Sequence, residues 1–99
     1  MTARTEKIFI HLRHTYGSET LRDRMYEEEG DTHTMDEPFG EARFGASRTI
    51  NLGNFESVRL EVGVTVPCDP NDIPEMIDKA KELCLTKLVE YAAEINEDE

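Results

Sequence analysis

The sequence is poor in the residues that several classes of function require. Lysine and arginine number 11 against 22 aspartates and glutamates, for a formal net charge of -11. A basic face for sequence-independent nucleic-acid binding, or for docking on anionic lipid, is therefore not expected. No apolar run approaches the roughly 18 residues of a transmembrane helix, and the N-terminus lacks the apolar stretch of a signal peptide. We expect a cytoplasmic protein that does not bind membranes.

Cysteine and histidine are also scarce, with two and three residues respectively. Cys68 and Cys84 are too few for a disulfide framework and are expected to be reduced and buried. His11 and His14 are three positions apart, so on a strand they point to opposite faces. A composite zinc site of these four residues has no supporting ligand spacing. No metal or other cofactor is predicted.

Motifs for nucleophilic catalysis and phosphate binding are missing as well. Ser18, Ser47 and Ser57 lie in no nucleophile-elbow motif. There is no phosphate-binding loop of the G-x-x-x-x-G-K-[ST] type, and Gly40 and Gly45 do not form a dinucleotide fingerprint. Carboxylates are so abundant that no single pair of them indicates acid–base chemistry. The prediction is a protein that is not an enzyme.

The clearest predicted element is a C-terminal helix over residues 73–95. Its apolar residues recur at the three-and-four spacing of a helix with one buried stripe. Asp72 and Glu75 form a capping-box pattern, and Pro74 falls in the first turn, where its missing N–H costs nothing. The acids in residues 96–99 oppose the helix dipole, so a frayed tail is expected.

Two segments with alternating apolar residues, 44–52 and 58–66, predict a β-hairpin. A three-residue loop, Gly53–Phe55, would pair Ile50 with Val58 and place both apolar sets on one face. A two-residue turn would place them on opposite faces, so burial favours the longer loop. The glycine and the asparagine of that loop can both take the positive φ that it needs.

A third strand is predicted near the start, where Ile8, Ile10 and Leu12 alternate with other residues. The middle segment, 14–41, has few large apolar residues. It is interpreted either as irregular or as an insertion with one short helix from Glu19 to Glu29. The whole chain, 1–99, is then a single α+β domain in which a small antiparallel sheet of about three strands packs against the long helix. The two open edges of such a sheet favour a homodimer.

The acidic residues are concentrated in the middle segment and near the C-terminus. Plain solvation is the commonest reason for such runs, and the sharper interpretation is recognition of a basic surface on a protein partner. In that case the carboxylates act as a nucleic-acid mimic. The candidate partner-binding residues are Glu27, Glu28, Glu29, Asp31, Asp36, Glu37, Glu90 and Glu94.

The hairpin provides the alternative function, which is binding of single-stranded nucleic acid. Arginines and aromatic residues on a sheet can hold single strands by charge and stacking. The net charge of the chain opposes this alternative and makes nucleic acid the less favoured partner. The residues of this alternative face are Arg43, Phe44, Arg48, Phe55 and Arg59.

The stretch RTINLGNFES at residues 48–57 continues into VRLEVGVTVPC and the capped helix. It resembles a motif in small uncharacterised proteins of phages and prokaryotic mobile elements, over residues 48–95. The resemblance implies a setting, the cytoplasm of a host cell, and no mechanism. With the charge and the small size, it leads to the hypothesis of a phage-type accessory protein that binds another protein and inhibits a host nucleic-acid-binding complex.

Overall fold

In a computed structural model, which describes residues 2–97, the chain forms a four-stranded antiparallel sheet and one long helix. The predicted α+β class is confirmed, but the sheet has four strands rather than about three. The strand order is β2-β1-β4-β3, so β2 and β3 are the two edges. The elements are β1 (Thr2–Tyr16), β2 (Glu19–Met35), β3 (Gly40–Gly53), β4 (Glu56–Cys68), a 3-10 turn (Pro70–Asp72) and α1 (Ile73–Glu97).

The middle segment is where the sequence-based prediction was wrong. Residues 19–35 form strand β2, paired with β1 along its length, and not a short helix or an irregular insertion. Leu21 and Met25, the expected buried pair of that helix, are both exposed. Backbone pairing and cross-strand contacts, such as the 3.2 Å ion pair of Lys7 with Glu27, hold β2 in place. Strand formation here depends on the neighbouring strand and not on a local apolar pattern.

The hairpin of β3 and β4 has the predicted register. Ile50 pairs with Val58, and both sets of alternating apolar residues share one face. The backbone at Gly53, Asn54 and Phe55 has φ values of 84°, 53° and 67°. The positive φ expected at Gly53 and Asn54 is confirmed, and Phe55 shares it, which is unusual for a bulky residue. The predicted three-residue loop is wrong: a register shift after Asn51 pairs Gly53 with Glu56, so the loop is the two-residue turn of Asn54 and Phe55.

The hydrophobic core lies between one face of the sheet and α1. Ile10, Leu60 and Val66 on the central strands and Ala80 and Cys84 on the helix are all fully buried. The helix packs over β3 and β4. The other face of the sheet, called the open face below, is covered by no other element of the described chain, and it carries alternate residues of every strand.

The start of α1 differs from the predicted capping box. Asp69 caps the 3-10 turn, because its Oδ1 accepts a hydrogen bond from the Asn71 N–H at 2.9 Å. The Asp72 N–H donates to the Asp69 carbonyl at 2.9 Å, so Asp72 lies inside the turn and is not the cap. Pro74 is in the first turn of α1, as predicted. Of the predicted frayed tail, residues 98–99 lie outside the described residues. Within residues 2–97, no helix is long and apolar enough to cross a membrane.

Candidate partner-binding surface

The two acidic segments of the sequence meet on one side of the molecule. Lys87 of α1 joins them, because its Nζ lies 3.2 Å from Glu28 Oε2 on β2 and 3.4 Å from Glu90 Oε2. Residues 62 positions apart in the chain thus share one cation. We define the acidic edge as the six predicted residues that gather along β2 and the adjoining side of α1: Glu27, Glu28, Glu29, Asp31, Glu90 and Glu94.

Aromatic and ionic contacts fix α1 against β2 at this edge. Tyr91 stacks on Tyr26 with ring centroids 6.4 Å apart, and its hydroxyl donates to Glu28 Oε1 at 3.3 Å. Burial, followed by the negative charge of Glu28, raises the pKa of Tyr91, so the hydroxyl remains a donor. The Glu28 carboxylate also raises the pKa of Lys87 against the opposing effect of burial. The acidic edge is therefore built on rigid elements.

A buried carboxylate, Glu6, fixes the other end of the helix. Glu6 is only 2% exposed and lies where a register shift interrupts the pairing of β1 with β2. Its Oε2 accepts from His33 Nε2 at 2.6 Å and lies 2.9 Å from Lys79 Nζ of α1. Its Oε1 accepts from the Asp31 N–H at 3.1 Å. One side chain of β1 thus ties together β2 and the first half of α1.

The environment of Glu6 keeps this side chain ionised. Burial alone would raise the pKa of a carboxyl group. The hydrogen bonds from His33, Lys79 and the Asp31 N–H, together with the Lys79 charge, outweigh burial and lower the pKa of Glu6 below its ordinary value of 4.5. Gly30 makes room for this arrangement, since a Cβ there would lie 2.5 Å from Glu6 Oε1.

The charge density along β2, counted over both of its faces, is close to that of a nucleic-acid strand. Because side chains alternate along a strand, Glu27 and Glu29 lie on the open face and Glu28 lies on the helix side. Counted over both faces, the edge carries one carboxylate per residue, or about 3.3 Å of strand length, and a single face carries one per two residues, or about 6.6 Å. A single DNA strand carries one phosphate per about 3.4 Å of helix axis. Lys7 pairs with Glu27 at 3.2 Å, and Lys79 lies 3.8 Å from Asp31. Glu29 and Glu94 take part in no ion pair within residues 2–97, and they leave the edge net acidic.

Asp36 and Glu37, the other two predicted partner-binding residues, lie apart from the acidic edge. Both follow the end of β2, in the connection to β3. Glu37 accepts a hydrogen bond from the Thr2 hydroxyl at 3.3 Å. Asp36 lines a depression near the start of α1, together with His33 and Asp69. The structure therefore places six of the eight predicted acidic residues along one edge of the molecule, with Glu27 and Glu29 on the open face and Glu28 on the helix side.

The alternative nucleic-acid face is divided by the fold. Arg43 and Arg59 lie on the open face, whereas the strand alternation places Phe44 and Arg48 on the helix side of the sheet. Phe55 stands at the tip of the hairpin, 6.5 Å from Tyr16 in an edge-to-face arrangement. The five residues thus form no common surface.

Carboxylates already pair with four cations of the open face. The ion pairs are Arg43 with Glu41 at 2.7 Å, Arg59 with Glu61 at 2.9 Å, Arg13 with Asp23 at 3.6 Å, and Lys7 with Glu27 at 3.2 Å. A phosphate would have to displace a carboxylate at each of these positions. This arrangement disfavours binding of single-stranded nucleic acid.

The histidines and cysteines considered for metal do not come together. His11 lies on the open face beside Asp23 and Glu61, and His14 lies on the opposite face, 3.9 Å from Glu56 Oε1. Both cysteines are buried, and burial raises the pKa of both thiols. Among the residues that the structure describes, no group of three or more His, Cys, Asp and Glu side chains could hold a metal ion.

The sequence analysis missed the Glu6 network, although a signal for it was present. Glu6 is two positions before Ile8, so the same alternation that buries Ile8 and Ile10 places Glu6 on the core face. A carboxylate in that register indicates a buried, partnered charge. Its partners, His33 and Lys79, could not be identified without knowing that residues 19–35 form a strand.

Comparison of the chain with protein-family models, curated proteins and solved structures finds no match. The resemblance of residues 48–95 to small phage and mobile-element proteins therefore stays a prediction. The functional argument consequently rests on the surface itself.

Proposed function

We propose that this protein acts by binding another protein through the acidic edge, and that the partner presents a basic, nucleic-acid-binding surface. In the setting that the phage-type motif implies, binding would inhibit a host complex that handles nucleic acid. The proposal rests on one observation, the convergence of β2 and α1 carboxylates around Lys87. No catalytic step is part of the proposal.

Three properties of the acidic edge support this function. Counted over both faces of the edge strand, the carboxylates of β2 have nearly the axial spacing of phosphates in a DNA strand. The stacking of Tyr91 on Tyr26 and the ion pair of Lys87 with Glu28 hold the two elements together. A surface organised before binding loses little side-chain entropy when the partner docks. Electrostatic attraction would also accelerate the encounter with a basic partner.

The experiment is affinity capture from nuclease-treated host lysate with two variants of equal net charge. The edge variant combines Glu27→Gln, Glu29→Gln and Glu94→Gln. The control variant neutralises three exposed acids on the outer side of α1: Glu75→Gln, Asp78→Asn and Glu82→Gln. Each variant removes three negative charges from a chain of -11, which leaves -8.

We expect the wild type and the control variant to capture the same stoichiometric partner, and the edge variant to lose it. The partner should carry a nucleic-acid-binding groove, and its capture should weaken as salt is raised. Equal capture by the edge variant would refute the proposal, because it would show that binding does not depend on these carboxylates. Recovery of nucleic acid without a protein partner, when nuclease is omitted, would favour the alternative function.

A further inference from the structure

Strand β3 leaves one long edge of the sheet without a neighbour. One side of β3 pairs with β4 from Gly40 to Gly53, and no strand lies beyond its other side in the described chain. Proteins usually protect such edges with charges, proline or bulges. The opposite edge, β2, has eight charged residues and two register shifts. β3 has three charged residues, no proline and one register shift near its end.

A row of apolar side chains lies on α1, on the same side of the molecule as this free edge. Leu85 and Val89 lie one helical turn apart and are both exposed, and exposed Ile77 lies about two turns before Leu85, with the exposed Lys81 between them. From the buried Cys84, Lys87 lies about 60° around the helix in one direction and Leu85 about 100° in the other. Lys87 reaches β2, so that flank of the helix faces β2. The opposite flank, which carries Leu85, therefore faces β3.

We propose that a second copy of this chain occupies this side. β3 pairs with its counterpart in antiparallel orientation about a two-fold axis near Ser47, and the apolar rows of the two α1 helices pack against each other. Such an isologous contact requires a surface that complements itself. An antiparallel strand edge and an apolar row both meet this requirement. A two-fold axis perpendicular to the sheet also places both helices on the same side of one continuous sheet.

The distribution of charge selects this side for the second copy. β2 carries six acids and two arginines, a net charge of -4. β3 carries two arginines and one acid, a net charge of +1. Two chains that each carry -11 repel least where they meet along their least acidic edge. The dimer would have eight strands, and its two acidic edges would lie about 34 Å apart, seven strand spacings, at its outer ends.

The first test is sedimentation equilibrium of the full chain with one matched pair of variants. Val89→Lys places a charge in the apolar row, whereas Met25→Lys places one on the far strand β2. Val89 and Met25 are 65% and 66% exposed, so neither change should disturb folding. We expect the wild type to form a dimer. Val89→Lys should raise the dimer Kd about tenfold or more, and Met25→Lys should leave the dimer Kd unchanged. A monomer at all concentrations, or a dimer weakened only by Met25→Lys, would overturn the proposal.

Spin labels test the geometry of the dimer independently of its stability. A label at Ser47→Cys, in the middle of β3, should give an intermolecular distance below about 20 Å. A label at Met25→Cys on β2 should give one beyond about 30 Å. The native cysteines are buried and compete little for the label. A long distance at Ser47 with a short one at Met25 would show pairing at another edge or through the open face, and would refute the β3 dimer.

Discussion

Replacing Glu6 by glutamine tests the buried network that holds α1 to the sheet. Glutamine has almost the same shape as glutamate and keeps an oxygen that can accept from the Asp31 N–H. The amide nitrogen that replaces the second oxygen cannot accept from His33 or Lys79. The variant therefore loses two charge-assisted hydrogen bonds without creating a cavity.

The expected loss of stability follows from these contacts. Hydrogen bonds to a charged group contribute about 1.5–3 kcal/mol each. Removing a buried charge offsets part of this loss, because its desolvation is no longer needed. We expect Glu6→Gln to lower the free energy of unfolding by about 2 kcal/mol. In a domain of this size that corresponds to a decrease in Tm of about 10 °C.

The assay is urea unfolding followed by circular dichroism at neutral pH, with Glu27→Gln as the control. Glu27 also pairs with a lysine, but both side chains of that pair are about half exposed. Exposed ion pairs contribute less than about 1 kcal/mol, so the control should stay close to the wild type. If Glu6→Gln were as stable as Glu27→Gln, the reasoning about Glu6 would be wrong.

The pH dependence of the stability difference between the wild type and Glu6→Gln tests the same assignment. The pKa of Glu6 is lower in the folded protein than its ordinary value of 4.5. A carboxyl group of this kind stabilises the fold above its unfolded pKa, and the stabilisation is lost as the pH falls through the folded pKa. The difference in stability between the wild type and Glu6→Gln should be full at pH 7 and should shrink below about pH 4.5. A difference that stayed constant down to pH 3 would contradict the assignment.

Three further predictions concern the core and the register shift at Glu6. Both thiols, Cys68 and Cys84, should resist alkylation at pH 8 in the native protein and react fully in denaturant, because they are buried and burial raises the pKa of each; rapid native labelling would contradict this. Leu60→Ala should lower the free energy of unfolding by about 2–5 kcal/mol, because Leu60 is fully buried. Leu85 is half exposed, so Leu85→Ala should lower the free energy of unfolding of the monomer by much less. Urea unfolding measures both values. Gly30→Ala should destabilise by about 1–3 kcal/mol, since its methyl group displaces a carboxylate held by three partners; unchanged stability in thermal unfolding would refute the close packing.

The sequence was most informative where burial fixes the pattern. Alternation over 58–66 fixed both the strand and its register with β3, because a one-residue slip would have exposed every apolar side chain. The spacing of apolar residues from Ile73 to Ile95 predicted α1 for the same reason. In both elements the apolar period is a direct record of which face is buried.

The sequence was least informative for β2, because this strand buries almost nothing. Its residues are exposed along nearly the whole strand, so no apolar period marks it. Its structure depends on pairing with β1, a contact between residues distant in the chain. The candidate site also depends on contacts between residues that are distant in the chain. The acidic residues themselves could be named from the sequence, but the meeting of Glu28 and Glu90 at Lys87 could not, because it requires β2 to lie within reach of the long side chains of α1.

The central claim is that the acidic edge binds the nucleic-acid-binding surface of a protein partner. Competition between the captured partner's nucleic acid and this protein tests that claim most directly. The measurement is the affinity of the purified partner for the wild-type chain, determined with and without saturating nucleic acid of the kind that the partner binds. A nucleic-acid mimic occupies the same groove, so we predict mutually exclusive binding, and an affinity that falls at least tenfold. A ternary complex with unchanged affinity would show that the acidic edge docks elsewhere and would contradict the account.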